Sequence, residues 1–147
     1  SCNDKKGCDN LIAPLEVPVC FIVRDAQGKN LLGPECEGNI LGNNIEVTRN
    51  GSKYPLILSE YDSSHLLGLH VGKTGPDKIP CIMFWYFYIG KDSGRDGFTI
   101  DWGDGVTDEV KINLYYTVVR CEAVSHTKLY LNGKIQPGSS LTVSIVK

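Results

Sequence analysis

The sequence predicts an all-β domain, arranged as a two-layer antiparallel sandwich of about eight or nine strands. Short runs of β-branched and aromatic residues recur along the chain and are separated by turn dipeptides such as Asn50-Gly51 and Asn132-Gly133. No stretch keeps the 3.6-residue period of an amphipathic helix over three turns. The 147 residues are enough for one domain with a single core.

In the N-terminal half, turn residues bound each predicted strand. Residues 17–24 form the first strand, and a loop rich in Gly, Pro and Asn follows over residues 33–44. Residues 45–49 and 53–58 then form a hairpin, because Asn50-Gly51 supplies the two positive φ angles of a type I′ turn.

The next strands are predicted over residues 64–71 and 79–89, on either side of a break at residues 74–77. The near-continuous hydrophobicity of 79–89 indicates a central strand that is covered on both faces. The remaining strands are read from hairpin turns at residues 103–105 and 132–133. They are predicted over residues 98–102, 109–116 with a continuation over 118–124, 128–131, 134 onward, and 141–146.

Composition excludes two classes of partner. Fifteen basic residues stand against seventeen acidic ones, a net charge of −2, and this balance gives no electrostatic surface for nucleic acid. The longest apolar run, residues 79–89, contains Pro80 and is shorter than the about 20 residues that a membrane-spanning helix needs. Contact with a membrane is therefore expected only through a lipid anchor.

Six cysteines in a small chain indicate an oxidising compartment. Cys8 and Cys36 lie in polar, glycine-containing stretches and are the predicted disulfide partners, either of each other or of a strand cysteine. Cys20, Cys81 and Cys121 lie in apolar strand segments, where a buried thiol is an equal alternative to a disulfide.

The first residues, Ser1-Cys2-Asn3-Asp4-Lys5-Lys6-Gly7-Cys8, are polar and carry a cysteine next to a small residue. This pattern is typical of a bacterial lipoprotein, with Cys2 as the lipidated residue, residues 1–16 as a tether and residues 17–147 as the folded domain. Lipidation of Cys2 would leave five cysteines, so at least one of them could not pair within the chain.

Turn residues spread over most of the chain resemble those of small secreted lipoproteins of Bacteroides-type bacteria. They are Asp25, Gly28, Leu31, Leu32, Pro34, Asn50, Gly51, Tyr54, Trp102, Asp104, Gly105, Asp108 and the run Leu131-Asn132-Gly133-Lys134. The resemblance implies an extracytoplasmic, lipid-anchored β-sandwich in the periplasm or on the cell surface. It implies no function and supplies no catalytic residue.

The segment Ile100-Asp101-Trp102-Gly103-Asp104-Gly105 resembles the Trp-Asp-Phe-Gly-Asp-Gly turn of PKD-type modules, with the tryptophan and the aspartate in changed order. This resemblance implies an immunoglobulin-like sandwich. Glycines permit a tight hairpin, and aspartates cap its amides, so a structural turn is the simpler interpretation.

Metal binding is the alternative interpretation of this region. Six carboxylates lie within residues 92–109, and Asp101, Asp104 and Asp108 are the candidate oxygen ligands for a structural calcium ion. The spacing differs from that of an EF-hand loop, and acidic turns at the ends of β-hairpins are commonly only solvated. No other cofactor is expected.

No recognised catalytic motif is present. The sequence contains no Gly-x-Ser-x-Gly, no His-Glu-x-x-His and no phosphate-binding glycine loop, so an enzyme is not expected. His65 and His126 each follow a serine, but neighbouring residues of a strand point to opposite faces. A hydrolase would need residues that are distant in sequence.

Ligand binding is inferred from the aromatic strand Phe84-Trp85-Tyr86-Phe87-Tyr88. Alternation places Phe84, Tyr86 and Tyr88 on one face and Trp85 on the other, which we assign to the core. The first face is then either a second core layer or an exposed platform for a glycan or an envelope protein.

Three functions follow from these observations. The first is a non-enzymatic envelope lipoprotein domain that binds a glycan or a protein. The second is a structural or assembly domain of immunoglobulin type in an envelope complex. The third is a hydrolase with a non-local site.

Overall fold

A computed structural model of the chain describes residues 16–60, 68–87, 94–138 and 141–147. These residues form ten strands and contain no helix, which confirms the all-β prediction, and none of them forms a helix able to cross a membrane. The strands are β1 (Glu16–Arg24), β2 (Glu46–Arg49), β3 (Ser52–Glu60), β4 (Gly68–Thr74), β5 (Ile79–Phe87), β6 (Gly94–Asp101), β7 (Thr107–Val119), β8 (Glu122–Leu131), β9 (Lys134–Ile135) and β10 (Thr142–Val146).

The strands form one mixed sheet in the order β10-β1-β5-β4-β3-β2-β6-β7-β8-β9, curled into a half-barrel. The contacts of β1 with β10 and of β3 with β4 are parallel, whereas the sequence predicts antiparallel pairing throughout. Strand β3 makes the sheet continuous, because its first residues pair with β2 and its last residues pair with β4. Strand β5 lies between β1 and β4, as its hydrophobicity predicts.

The main core lies between the two halves of the curled sheet. Phe21 of β1 packs edge-on against Phe98 of β6 and against Trp102, with ring centroids 6.1 and 5.8 Å apart. Phe84 of β5 also contacts Phe98, at 4.8 Å. Aromatic contacts between β1, β5 and β6 therefore join the two halves across one hydrophobic core.

A second, smaller cluster occupies the opposite face of β1 and β5. It consists of the buried residues Cys20, Ile22 and Cys81, with Ile79 and Met83 packed against them. Alternation along the strands explains the separation, since Phe21 and Ile82 between them point into the main core.

The hairpin turns at Asn50-Gly51 and Asn132-Gly133 are confirmed. Both residues of each pair have positive φ angles, 51° and 79° in the first turn and 50° and 83° in the second. These values fit the type I′ turn, whose twist matches that of the flanking strands.

The predicted continuation of a strand over residues 118–124 is wrong. The chain reverses at Arg120 and Cys121, whose φ angles are 52° and 63°, and β7 and β8 form one long hairpin around this turn. The turn was missed because Arg-Cys lacks the Asn or Gly that normally occupies two positive-φ positions.

Candidate functional site

The predicted platform row begins at Phe84, which is completely buried and belongs to the main core. Its ring contacts Tyr54, with centroids 5.2 Å apart, so it offers no surface to a ligand. The core therefore lies on the Phe84 face of β5, the reverse of the predicted arrangement, and Trp85 on the other face is half-buried. The side chain of Tyr86 and all of Tyr88 lie outside the described residues.

The candidate calcium ligands Asp101 and Asp104 cap backbone amides of the β6–β7 turn. Asp101 Oδ1 accepts from the amide of Gly103 at 2.8 Å, and Asp104 Oδ1 accepts from that of Val106 at 3.0 Å. The Lys147 ammonium lies 3.0 Å from Asp104 Oδ2, and these partners hold the pKa of Asp104 below its ordinary value. Both carboxylates therefore cap the turn, and Asp104 also binds Lys147.

Asp108, the third candidate, binds two side chains. Its Oδ2 accepts from the buried indole Nε1 of Trp102 at 2.7 Å, and its Oδ1 accepts from Asn132 Nδ2 at 2.8 Å. Within the described residues, no three His, Cys, Asp or Glu side chains are grouped to hold a metal ion. The three candidate carboxylates are thus explained as two turn caps and a partner for a buried indole.

The structure contradicts the cysteine prediction at one residue, Cys36. Cys36 is a thiol, so the predicted disulfide at this residue is not formed, and Cys20 and Cys81 are thiols as well. Cys121 is disulfide-bonded, and none of these three is its partner. Cys2, the predicted lipidation site, and Cys8 lie outside the described residues.

An aromatic surface lies on the outer face of the β7–β8 hairpin, and we call it the hairpin platform: Tyr115, Thr117, Val124 and His126. Tyr115 and His126 are register partners whose rings stack at 4.7 Å with an interplanar angle of 11°. Thr117 Oγ1 lies 2.9 Å from His126 Nε2, which fixes the imidazole in the stack. The opposite face of the same hairpin carries Ile112 and Leu129 into the core.

Polar and amphipathic side chains surround the hairpin platform on the same face. The register places Asn113 opposite Lys128 and Lys111 opposite Tyr130. Amide, ammonium and phenol groups at these positions can form hydrogen bonds with a ligand that rests on the stacked rings. The arrangement suits a flat ligand with apolar faces and polar edges.

Two clefts lie elsewhere on the molecule. The smaller, ≈ 310 Å³, is lined by Glu35, Cys36, Lys73 and Lys78 among others, and Gly33 makes room there, because a Cβ on it would lie 2.5 Å from the Cys36 sulfur. The larger, ≈ 490 Å³, runs along β3. Its lining is mainly apolar and includes Leu41, Pro55, Leu56 and Leu58.

Thr117 and His126 bring a hydroxyl and an imidazole into hydrogen-bond distance, which is what the hydrolase alternative requires. Neither residue lines either of these two clefts. His70, in contrast, is completely buried, and a Cβ on Gly68 would lie 3.4 Å from its Nε2. The Thr117–His126 pair therefore lies outside both of these clefts.

Sequence reasoning missed the hairpin platform because it depends on cross-strand register. Tyr115 and His126 are eleven positions apart and become neighbours only when the chain reverses at Arg120-Cys121. The alternation of residues 111–117 and 126–130 was a usable signal, since both segments place polar or amphipathic residues at every second position. Without the turn, the register could not be set.

No protein-family model, no curated protein and no solved structure matches this chain.

Proposed function

We propose that this chain is a non-enzymatic binding domain whose hairpin platform recognises a glycan. The observation that carries the proposal is the stacked Tyr115–His126 pair on the outer face of the sheet, in which the imidazole is also hydrogen-bonded to Thr117. Because the two rings are held together before any ligand arrives, less side-chain freedom is lost on binding.

The chemistry of the surrounding side chains favours a sugar ring as the ligand. The C–H groups of a pyranose pack on aromatic faces, while its hydroxyl groups need donors and acceptors at the rim of that contact. Asn113 and Lys128 supply such groups opposite one another on β7 and β8.

The cellular location that we propose is the bacterial cell envelope. The six cysteines support an extracytoplasmic protein, and Cys2 is the residue that we propose carries a lipid anchor. A binding platform on a tethered domain would hold its ligand near the membrane surface. The mass of the natively expressed protein tests this location, since a lipid at Cys2 adds a defined increment.

Binding to a panel of neutral oligosaccharides, followed by NMR on the His126 ring, tests the glycan proposal. We expect saturable shifts of the His126 ring signals with at least one oligosaccharide. Tyr115→Ala and His126→Ala should each weaken the affinity by about tenfold, or about 1.4 kcal/mol, because each removes half of the stack.

Thr48→Ala is the matched control, since Thr48 is an exposed residue on β2, which pairs with β6. It should leave the affinity unchanged. Retention of full affinity in both platform variants would overturn the proposal, as would the absence of any shift across the panel.

A second candidate function is assembly, with the curled sheet acting as an immunoglobulin-like sandwich unit of an envelope complex. Within the described residues, β9 pairs only with Tyr130 and Leu131, so most of β8 is left as a sheet edge. Val119, the last residue of the neighbouring strand β7, is 55% exposed. An exposed edge is a template for strand addition by another chain. Light scattering across a concentration series tests this candidate, because Val124→Lys should then abolish any oligomer.

A further inference from the structure

Two buried thiols lie side by side on the face of the sheet that points away from the main core. The register sets Cys20 of β1 opposite Met83 of β5, and Cys81 lies two residues before Met83 on the same face. Cys20 is 7% exposed and Cys81 is completely buried. The two thiols are therefore diagonal neighbours on adjacent strands.

A third sulfur atom belongs to the same cluster. Met83 packs against this cluster, and its side chain reaches over Gly72, where a Cβ would lie 3.5 Å from the thioether sulfur. Gly72 is the register partner of Cys81 on β4, so the thioether lies beside that cysteine. Ile22 and Ile79 pack in the same cluster, and the Thr74 side chain forms a hydrogen bond with Cys20.

We propose that Cys20 and Cys81, with Met83 as a third ligand, form a binding site for a soft monovalent cation, Cu(I). Thiolate and thioether sulfur atoms select Cu(I) over harder cations, and Cu(I) accepts low coordination numbers. A disulfide is the less favourable product of this pair, since diagonal positions are about 7–8 Å apart between Cα atoms, beyond the usual span of the bond. This site is separate from the hairpin platform and goes beyond the proposed function.

Binding of Cu(I) by the thiols releases protons and transfers no electron. The cation enters as Cu(I), so no electron is transferred, and one proton is released for each thiol that becomes a thiolate. The Cys20 and Cys81 side chains are hydrogen-bonded to each other, so their sulfur atoms are close enough to hold one cation between them. One thiolate with Cu(I) is neutral overall, a form that a buried site tolerates.

Anaerobic titration with Cu(I) against a chromogenic chelator tests the site, with the Cys121 disulfide left intact. We expect the folded protein to bind one Cu(I) at this site and to unfold at a higher temperature when loaded, because the unfolded chain lacks the preformed site. Cys20→Ser and Cys81→Ala should each weaken binding at least about tenfold, and Met83→Leu should weaken it less.

Cys36→Ser is the matched control, because Cys36 is a thiol that lies outside this cluster, and it should leave the affinity unchanged. Circular dichroism confirms the fold of each variant, and Cys20→Val replaces Cys20→Ser if the hydroxyl prevents folding. The titration of the unaltered protein is repeated with silver(I), which is redox-inert under these conditions. Equal Cu(I) affinity in the Cys20, Cys81 and Cys36 variants, or no rise in unfolding temperature, would overturn the proposal.

Discussion

At the turn between β6 and β7, Gly103 lies against the backbone of the loop that precedes β2. A Cβ on this residue would lie 1.6 Å from the carbonyl oxygen of Asn43, and its φ angle is +76°. Gly103→Ala therefore combines a strained backbone with an overlap that only a shift of the loop could relieve. We expect it to lower the free energy of unfolding by at least about 4 kcal/mol, measured by urea denaturation.

Gly105, two residues later in the same turn, is the control for this prediction. Its φ angle is +85°, but a Cβ there would meet no atom within 4 Å. Gly105→Ala should lower the free energy of unfolding by only about 1–2 kcal/mol, the cost of placing a Cβ on a left-handed backbone. Equal losses in the two variants would contradict the role of the Asn43 contact.

Asp104 and Lys147 form a pair whose effect on stability depends on pH. The folded protein holds the pKa of Asp104 below its ordinary value, first through the hydrogen bond from Lys147 and then through the amide of Val106. The stabilisation is therefore fully present above the ordinary pKa and is lost as the pH falls through the lowered one. Lys147→Met should raise the pKa of Asp104, measured by an NMR titration of its carboxyl carbon.

Lys53→Met provides the comparison for that titration, because Lys53 pairs with Glu46 at 3.9 Å and does not contact Asp104. It should leave the pKa of Asp104 unchanged. An unchanged pKa in the Lys147 variant would show that the amide of Val106 alone sets the shift.

At the scale of the elements, the β7–β8 hairpin reverses through two residues that are poor choices for its turn. Arg120 is exposed and has a φ angle of 52°, a left-handed conformation that Asn adopts more readily than Arg. Arg120→Asn should therefore raise the free energy of unfolding by roughly 0.5–1 kcal/mol, measured with the Cys121 disulfide intact.

Lys128→Asn, on extended backbone in β8, is the matched substitution and should not raise the free energy of unfolding. If the two variants changed stability equally, the turn conformation of Arg120 would not be the cause.

The hairpins show how far local sequence determines an element. Asn50-Gly51 and Asn132-Gly133 could be placed before the structure, because each pair carries its own preference for positive φ. Arg120-Cys121 has no such preference, and its turn forms because the flanking segments pair along their length. The hairpin platform depends on this turn, so neither the turn nor the platform could be predicted from the sequence.

At the scale of the whole molecule, one core joins the two halves of the curled sheet. Phe21 contacts Phe98 and Trp102 across that core. Phe21→Ala should lower the free energy of unfolding by about 3–5 kcal/mol and should weaken both halves together. Amide hydrogen exchange should therefore become faster in both β5 and β7 of the variant. The unaltered protein should unfold in a single transition that is the same by circular dichroism and by tryptophan fluorescence.

Val146→Ala, at a residue of β10 that is 72% exposed, is the control and should change stability little. Loss of protection in β5 without loss in β7 would contradict a shared core.

The sequence by itself determined the strand content, the Asn-Gly turns and the central position of β5, because each depends on residues that are close along the chain. The tertiary structure alone decided which face of β5 enters the core, that the sheet is mixed, and that Tyr115 meets His126. Alternation shows that β5 has two faces, but both are apolar, so only packing against β6 decides that Phe84 points inward. Likewise, the sequence leaves the carboxylates at residues 101–108 as turn residues or as metal ligands, and only their distances to Trp102, Asn132 and Lys147 show which groups they bind.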